Sequence, residues 1–599
     1  MPRPEDLNCK LKTLSENATN KTEGSSVGLN LDTFIINVFF DGTWNNMKNN
    51  NIYRGLDENY KFDSDPEIAY KQKEDIGASN NGLFDIFTSS NIHENLSYHR
   101  EATAVEWLYK SYKPIGKKNI SVYIEGTGTL NKHKDSAFAA GSGWGSDRGF
   151  EAKAQRAFDH IAQNITKNDL AGKPFDILQF NIYGFSRGAA SARYFANLLR
   201  DTYEIRDENN TVIEEKHYVE KLGFDTPPQP CQIQLGFVGI FDTVASVGLN
   251  QTNDADEWKQ KLDQSNPSIE QLPDLPKGYK VVHIVAANEA RTFFSLYTIK
   301  SAMDKGYGVE FALPGCHTDI GGGLGVGEEM IDGKVVISGK NEVVEYVHEN
   351  HDANYVKEDT GSNQFNSHGD HDEGGCWLFT NVLSRMLRQL TSASNVDAKK
   401  MADVLIEAGY YDEAELITTN KRLPDYRADM SGSKLYLIDN THDIQETITS
   451  GIPARNVIDK TLWGYRQQIN SGYPRVACNL MMDFIKKSNI KDFSLFPDNI
   501  EAHIPDSFLQ SVYDEFRQKA MAHDDECKVA QTWTPKELQL DNRANSRKLF
   551  KNYLHWSGDG GALDAQITPN GHGIRTNHLA KNEISNTYNI LLGDNNAVT

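Results

Sequence analysis

Six short apolar runs, each bounded by polar or turn-forming residues, punctuate the first half of the chain, at 34–40, 120–124, 177–183, 235–241, 281–286 and 309–313. Continuous apolar runs of this length mark strands buried on both faces, as in a parallel sheet; a strand with one wet face would alternate. Helical periodicity lies between several of them. Ala154, Phe158, Ile161, Ala162 and Ile165 share one helical face, as do Ala192, Phe195, Ala196 and Leu199. Strands alternating with amphipathic helices predict an α/β fold with a doubly wound, mainly parallel sheet and helices on both faces. The pattern places this core at residues 31–325.

The pattern changes on either side. Residues 1–30 are polar, rich in Asn, Ser, Thr and Lys, and read as a leader. Residues 326–376 are rich in Gly, Asp, Asn and His and read as a polar insertion with one hairpin around 335–338. From 377 to 599 the periodicity predicts a largely helical region, with helices at 378–390, 398–408, 456–468, 477–487 and 507–522. Such helices are expected to pack as an outer layer or lid; docking on a membrane is a second expectation for them.

Charge narrows the function classes. Lys and Arg number 62 against 83 Asp and Glu, a net charge of −21. Sequence-independent nucleic-acid binding needs a basic surface to displace counterions, so no nucleic-acid partner is expected. Strong adsorption to anionic membranes is disfavoured for the same reason, so any lipid contact should be local and apolar. No run approaches the ~18 apolar residues of a spanning helix. The start of the sequence lacks the apolar stretch of a secretory signal, which suits synthesis in the cytoplasm. Six scattered cysteines form no CxxC pair, so neither a zinc site nor a disulfide framework is indicated, and no cofactor is expected. His348, His351, His368, Asp370, His371, Asp372 and Glu373 crowd the insertion without recurring ligand spacing, and read as a solvated polar loop.

The candidate chemistry sits at the strand ends. Gly184-Phe185-Ser186-Arg187-Gly188 is a G-x-S-x-G element, a pattern that arises by chance too often in a chain with 46 glycines to carry weight unaided. Its context supplies the weight. A strand precedes it and a helix follows, and a nucleophile elbow needs that strand–turn–helix, with small residues two before and two after the strained serine. The competing reading is a glycine-bracketed strand end where Ser186 only caps the helix.

A serine hydroxyl needs a base, and the base an orienting acid, in the chain order Ser, Asp or Glu, His for this fold. The run 235–241 leads directly into Asp242-Thr243, and the run 309–313 leads into a Gly-rich loop carrying His317. His317 is the favoured base and Asp242 its acid. Asp319 is the rival acid, ranked second because a residue two along usually points elsewhere. Glu289, two residues before Arg291, reads as an ion-pair partner. For the oxyanion hole, one backbone N–H should be that of Arg187, directly after the nucleophile. The second fits the loop at 40–45, where Gly42 allows close approach and Thr43 offers its amide. The loop at 125–129 reads as active-site wall.

Five segments in this order, at 39–45, 123–129, 184–189, 241–244 and 314–323, resemble the type VI secretion lipase effectors of the G-x-S-x-G class, bacterial phospholipases with an α/β-hydrolase catalytic domain. The stretches 405–410 and 553–557 are also similar, so the resemblance spans about 34 to 560. It implies a Ser186–Asp242–His317 triad and phospholipase A-type hydrolysis of membrane phospholipid. It also implies delivery on a secretion spike protein to the periplasm or membrane of a target cell, with a cognate immunity protein protecting the producer. The polar insertion and the leader are where the chain departs from that pattern. Two other readings stay open: an esterase acting on a different ester, and an inactive hydrolase-fold adaptor of the secretion machinery.

Overall fold

Each of the six apolar runs forms a strand in the computed structural model. It describes residues 32–53, 97, 100–133, 135, 147–199, 201–229, 232–247, 253–254, 281–289, 291, 294, 296–323, 328–331, 334–337, 340–352, 398–417, 434–439, 442–444, 455–490, 492–493, 502–530 and 536–556. The strands are β1 (Thr33–Phe40), β2 (Asn119–Ile124), β3 (Ile177–Phe185), β4 (Ile233–Phe241), β5 (Val281–Ala286) and β6 (Gly308–Leu313). With the short Lys536–Glu537 (β12) they form a seven-stranded sheet in the order β12-β6-β5-β4-β3-β1-β2. Every pairing in it is parallel.

Helices cover both faces, as the alternation predicts. On one side Phe34, Ile36, Val38 and Phe40 point toward α2 (Phe150–Lys167) and α3 (Arg187–Leu198) in one buried cluster. On the other, Phe39, Tyr183, Phe237 and Phe241 share a cluster with α1 (Ala104–Ser111) and α6 (Pro474–Lys487). Helix α6 starts with proline at its first turn, where no N–H is missed, and ends on Lys486 and Lys487, which suit the negative end of its dipole.

The C-terminal region differs from expectation in one large element. The predicted helix at 456–468 is instead a strand, β11 (Arg455–Ile469). It pairs antiparallel with β7 (Lys340–Asp352) and β9 (Lys434–Asp439), and β8 (Ala414–Ile417) and β10 (His442–Ile444) complete a five-stranded sheet. Its sequence holds Val457, Ile458, Thr461, Trp463 and Tyr465, residues that favour strands. Leu462, Gly464 and Arg466 are buried with period two, so pairing with distant strands settles the conformation. Helices do stand where expected at α5 (Ala398–Ala408), α6 and α7 (Ser507–Ala530), and α8 (Arg543–Asn552) follows them. The hairpin expected around 335–338 pairs Glu328–Ile331 with Lys334–Ile337. The expected leader 1–30, the helix at 378–390 and residues 368–373 of the polar insertion lie outside the described residues. His348 and His351 lie on β7.

Candidate active site

Parallel strands bring all their carboxyl ends to one edge of the sheet, and the strand order reverses between β1 and β3, where ligand crevices of open α/β sheets form. That edge collects the loop after β1, Ser186 after β3, Asp242 after β4, Glu289 beyond β5 and His317 beyond β6.

Ser186 joins β3 directly to α3 with φ 59° and ψ −128°, a left-handed conformation unfavourable for a side-chain-bearing residue. The reason for the flanking glycines is steric. A Cβ on Gly184 would stand 2.7 Å from Ala189 Cα, and one on Gly188 would stand 2.2 Å from the Asp41 carbonyl oxygen. The turn is fixed by Ser186 N–H donating to Phe241 O at 3.0 Å. Ser186 occupies the helix N-cap position, yet its side chain makes no capping hydrogen bond, so the competing reading of a simple cap fails.

Asp242 follows β4 with φ 40°, and its carboxylate is fully buried. One oxygen accepts the Ala286 N–H at 2.8 Å and the other faces His317 Nδ1 at 2.5 Å. The imidazole lies between aromatic rings, 4.6 Å from Phe185 and 5.0 Å from Phe294 between centroids. Burial pulls the His317 pKa below its ordinary value, and Asp242 only partly offsets that. The pair is thus a buried imidazole and a buried carboxyl group, with Nδ1 turned to Asp242.

The loop after β1 packs against the elbow. Gly42 N–H and the Thr103 hydroxyl donate to one Asp41 oxygen at 2.7 and 2.8 Å, and the Tyr123 hydroxyl donates to the other. Arg187 Nη1 donates to Thr43 Oγ1 at 3.5 Å, so the Thr43 loop stands beside the first residue of α3. The loop at 125–129 backs this arrangement: Trp44 N–H donates to Thr127 O, and a Cβ on Gly126 would meet Gly42 O at 1.7 Å. Glu125 is buried in an ion pair with Lys153 at 2.9 Å and Arg156 at 2.6 Å. These two loops form one wall.

The other buried acids and the second imidazole near the site have partners of their own. Glu289 does pair with Arg291, Nε to Oε1 at 2.9 Å and Nη2 to Oε2 at 3.0 Å. The same carboxylate also takes the His317 backbone N–H at 3.0 Å. Asp319, the rival acid, faces away from His317: it takes the Cys316 N–H at 3.0 Å, and the His555 N–H and Nδ1 at 2.9 and 2.8 Å. A second buried imidazole, His283, bridges Glu310 at 2.9 Å on Nδ1 and the Thr243 N–H at 3.0 Å on Nε2. Accepting that N–H fixes the proton on Nδ1 and steadies the turn beside Asp242.

Residues 201–334 match the family described as type VI secretion system (T6SS), phospholipase effector Tle1-like, catalytic domain. The matched span includes Asp242 and His317, and Ser186 lies just upstream of it. Among solved structures, the chain is similar to the Tle1 effector bound to the VgrG spike of the type VI secretion system. Identity there is 18%, with a TM-score of 0.48, over 93% of this chain and 98% of that one. A second similarity, to an uncharacterised protein from Pseudomonas aeruginosa, has 22% identity and a TM-score of 0.28 over 54% of this chain and 45% of that one. No curated protein matches the sequence. From just after α3 into the hairpin that follows His317, then, the chain is similar to the catalytic domain of Tle1-like type VI phospholipase effectors.

Proposed function

We propose that this chain is a type VI secretion phospholipase effector that hydrolyses an acyl ester of membrane phospholipid through Ser186, His317 and Asp242. The observation that carries the reading is the buried 2.5 Å contact from His317 Nδ1 to Asp242, made beside a serine held at φ 59° on a helix N-terminus. A serine hydroxyl attacks only when a base takes its proton, and the carboxylate holds that base in the tautomer whose Nε2 is the acceptor. Ser186 attacks the acyl carbonyl and His317 takes its proton. The amides of Arg187 and Thr43 bind the oxyanion. His317 then protonates the departing lysophospholipid, and water activated by His317 releases the fatty acid from the acyl-enzyme. In this reading residues 31–325 are the catalytic core, with the later regions as supporting layers. The similarity of residues 201–334 to Tle1-like catalytic domains supports the lipid substrate. By the same reading a spike protein carries the chain out, it acts at the target membrane, and a cognate immunity protein guards the producer.

The test is mass spectrometry of products from a defined phospholipid with different acyl chains, alongside fluorophosphonate labelling. The expected result is one lysophospholipid plus free fatty acid, with labelling lost in Ser186→Ala. Parental turnover by Ser186→Ala would overturn the assignment. Turnover of soluble nitrophenyl esters without any phospholipid product would move the substrate to another ester.

A further inference from the structure

The helix that begins with His317, α4 (His317–Gly321), has five residues, too few to hold its own shape. Its entry is governed by Asp319, whose carboxylate is fully buried and takes the Cys316 N–H at 3.0 Å, one residue before His317. The same carboxylate is gripped by His555, through the backbone N–H at 2.9 Å and the ring Nδ1 at 2.8 Å. His555 lies 236 residues away in sequence, on the segment that follows α8. That segment is fastened on both sides of His555. Arg466 of β11 donates to Phe550 O at 3.2 Å and Leu554 O at 2.7 Å, and Trp556 meets Tyr410 edge-on at 5.6 Å.

We propose that His555 is a positioning residue for His317: the C-terminal segment clamps Asp319, and Asp319 sets the loop that aims the imidazole. The inference rests on the reading of His317 as the base. Because Asp319 is buried, removing a donor leaves a charged oxygen without its partner, and the loop relaxes to recover one. A base displaced by about 1 Å loses on the order of 100-fold in rate, whereas substrate binding, made elsewhere, is untouched. The donor must sit at the Nδ1 position. Asparagine places its amide nitrogen there, and glutamine places it one atom further out.

The experiment measures kcat, KM and the rate of fluorophosphonate labelling for His555→Ala, His555→Asn and His555→Gln in the full chain, with His317→Ala as reference and thermal melts for each. Expected are a 10- to 100-fold fall in kcat and in labelling rate for the alanine variant at unchanged KM, recovery in the asparagine variant, and none in the glutamine variant. If the alanine variant does not fold, the asparagine–glutamine contrast decides alone. Parental kcat in His555→Ala or His555→Gln, or equal loss in the asparagine and glutamine variants, overturns the clamp. An active His317→Ala would instead overturn the reading on which it rests, so the two failures are told apart.

Discussion

Replacing Asp242 by asparagine separates orientation of the base from stability of the fold. Among its partners in the described residues, the fully buried carboxylate takes the Ala286 N–H at 2.8 Å and faces His317 Nδ1 at 2.5 Å. An amide has one oxygen and one NH₂. Turned with the NH₂ toward Ala286, it sets two donors against each other and strands a backbone N–H, at about 1–3 kcal/mol. Turned the other way, the NH₂ faces Nδ1 and drives the ring proton to Nε2. That costs the protein little, because a ring can change tautomer and a backbone cannot. The second arrangement therefore wins: Asp242→Asn should melt within about 1 kcal/mol of the parent and lose roughly 10³- to 10⁴-fold in kcat, since Nε2 no longer accepts the serine proton. Asp242→Ala, which strands both donors, should lose similar activity and in addition roughly 2 kcal/mol or more. The assay is phospholipid turnover paired with denaturant unfolding of all three proteins. An asparagine variant keeping more than a tenth of parental kcat would refute the tautomer argument, and with it the role of Asp242.

Three further outcomes follow from the same edge of the sheet. Gly188→Ala puts a methyl 2.2 Å from Asp41 O, so the loop after β1 must retreat by about 1 Å; kcat should drop on the order of 100-fold with a lowered melting temperature, and an unchanged kcat would show that this loop does not hold the reacting group. Burial lowers the His317 pKa, so its neutral, proton-accepting form persists into acid, and the acid limb of kcat/KM should have its midpoint below 6.5; a midpoint above that value in the pH profile contradicts it. Burial raises the Asp41 carboxyl from 3.8 to about 7 against the lowering pull of the Tyr123 hydroxyl, so the folded state holds the extra proton in that window. The resulting stability is full below 3.8 and is lost as pH rises toward 7, at up to about 1.4 kcal/mol per pH unit, and this slope should vanish in Asp41→Asn when unfolding is measured across pH 4–8.

What the sequence made legible was whatever depends on neighbours along the chain. The six core strands could be read because both their faces are buried and their apolar runs are unbroken, and the elbow because its glycines and flanking elements are contiguous. Asp242 and His317 could be nominated because parallel strands send their carboxyl ends to one side, so strand-end position substitutes for distance. The apolar residues of strand β11 also fit a helical face, and the partners that make it a strand, at 340–352 and 434–439, are far away in sequence. Asp319 could be demoted from its spacing, but its tie to His555 could not be anticipated across 236 residues. Nor could the His283–Glu310 pair under Thr243, since a His and a Glu inside two apolar strands look like interruptions until the strands are laid side by side.

These placements also explain why so many acids gather around one imidazole in a site proposed to need only one. The His317 loop leaves β6 and at once enters a single helical turn, so its first N–H groups have no backbone partners within the turn. Side chains meet them instead: Gly315 N–H is met by Asn288 at 2.8 Å, Cys316 N–H by Asp319 of the turn itself at 3.0 Å, and His317 N–H by Glu289 at 3.0 Å. Two of the acceptors are carboxylates, and buried carboxylates require fixed donors of their own, which Arg291 and His555 supply. Charge-assisted bonds in a buried setting are shorter and stiffer than neutral ones, so the loop gains a defined position at the cost of depending on distant segments. By the clamp proposed above, helix α8, β11 and the segment holding His555 support the core at 31–325 in a way that trimming them should disturb. Cutting the chain before His555 would leave Asp319 buried with a charge and one local donor, and the loop carrying the base would have to rearrange to satisfy it.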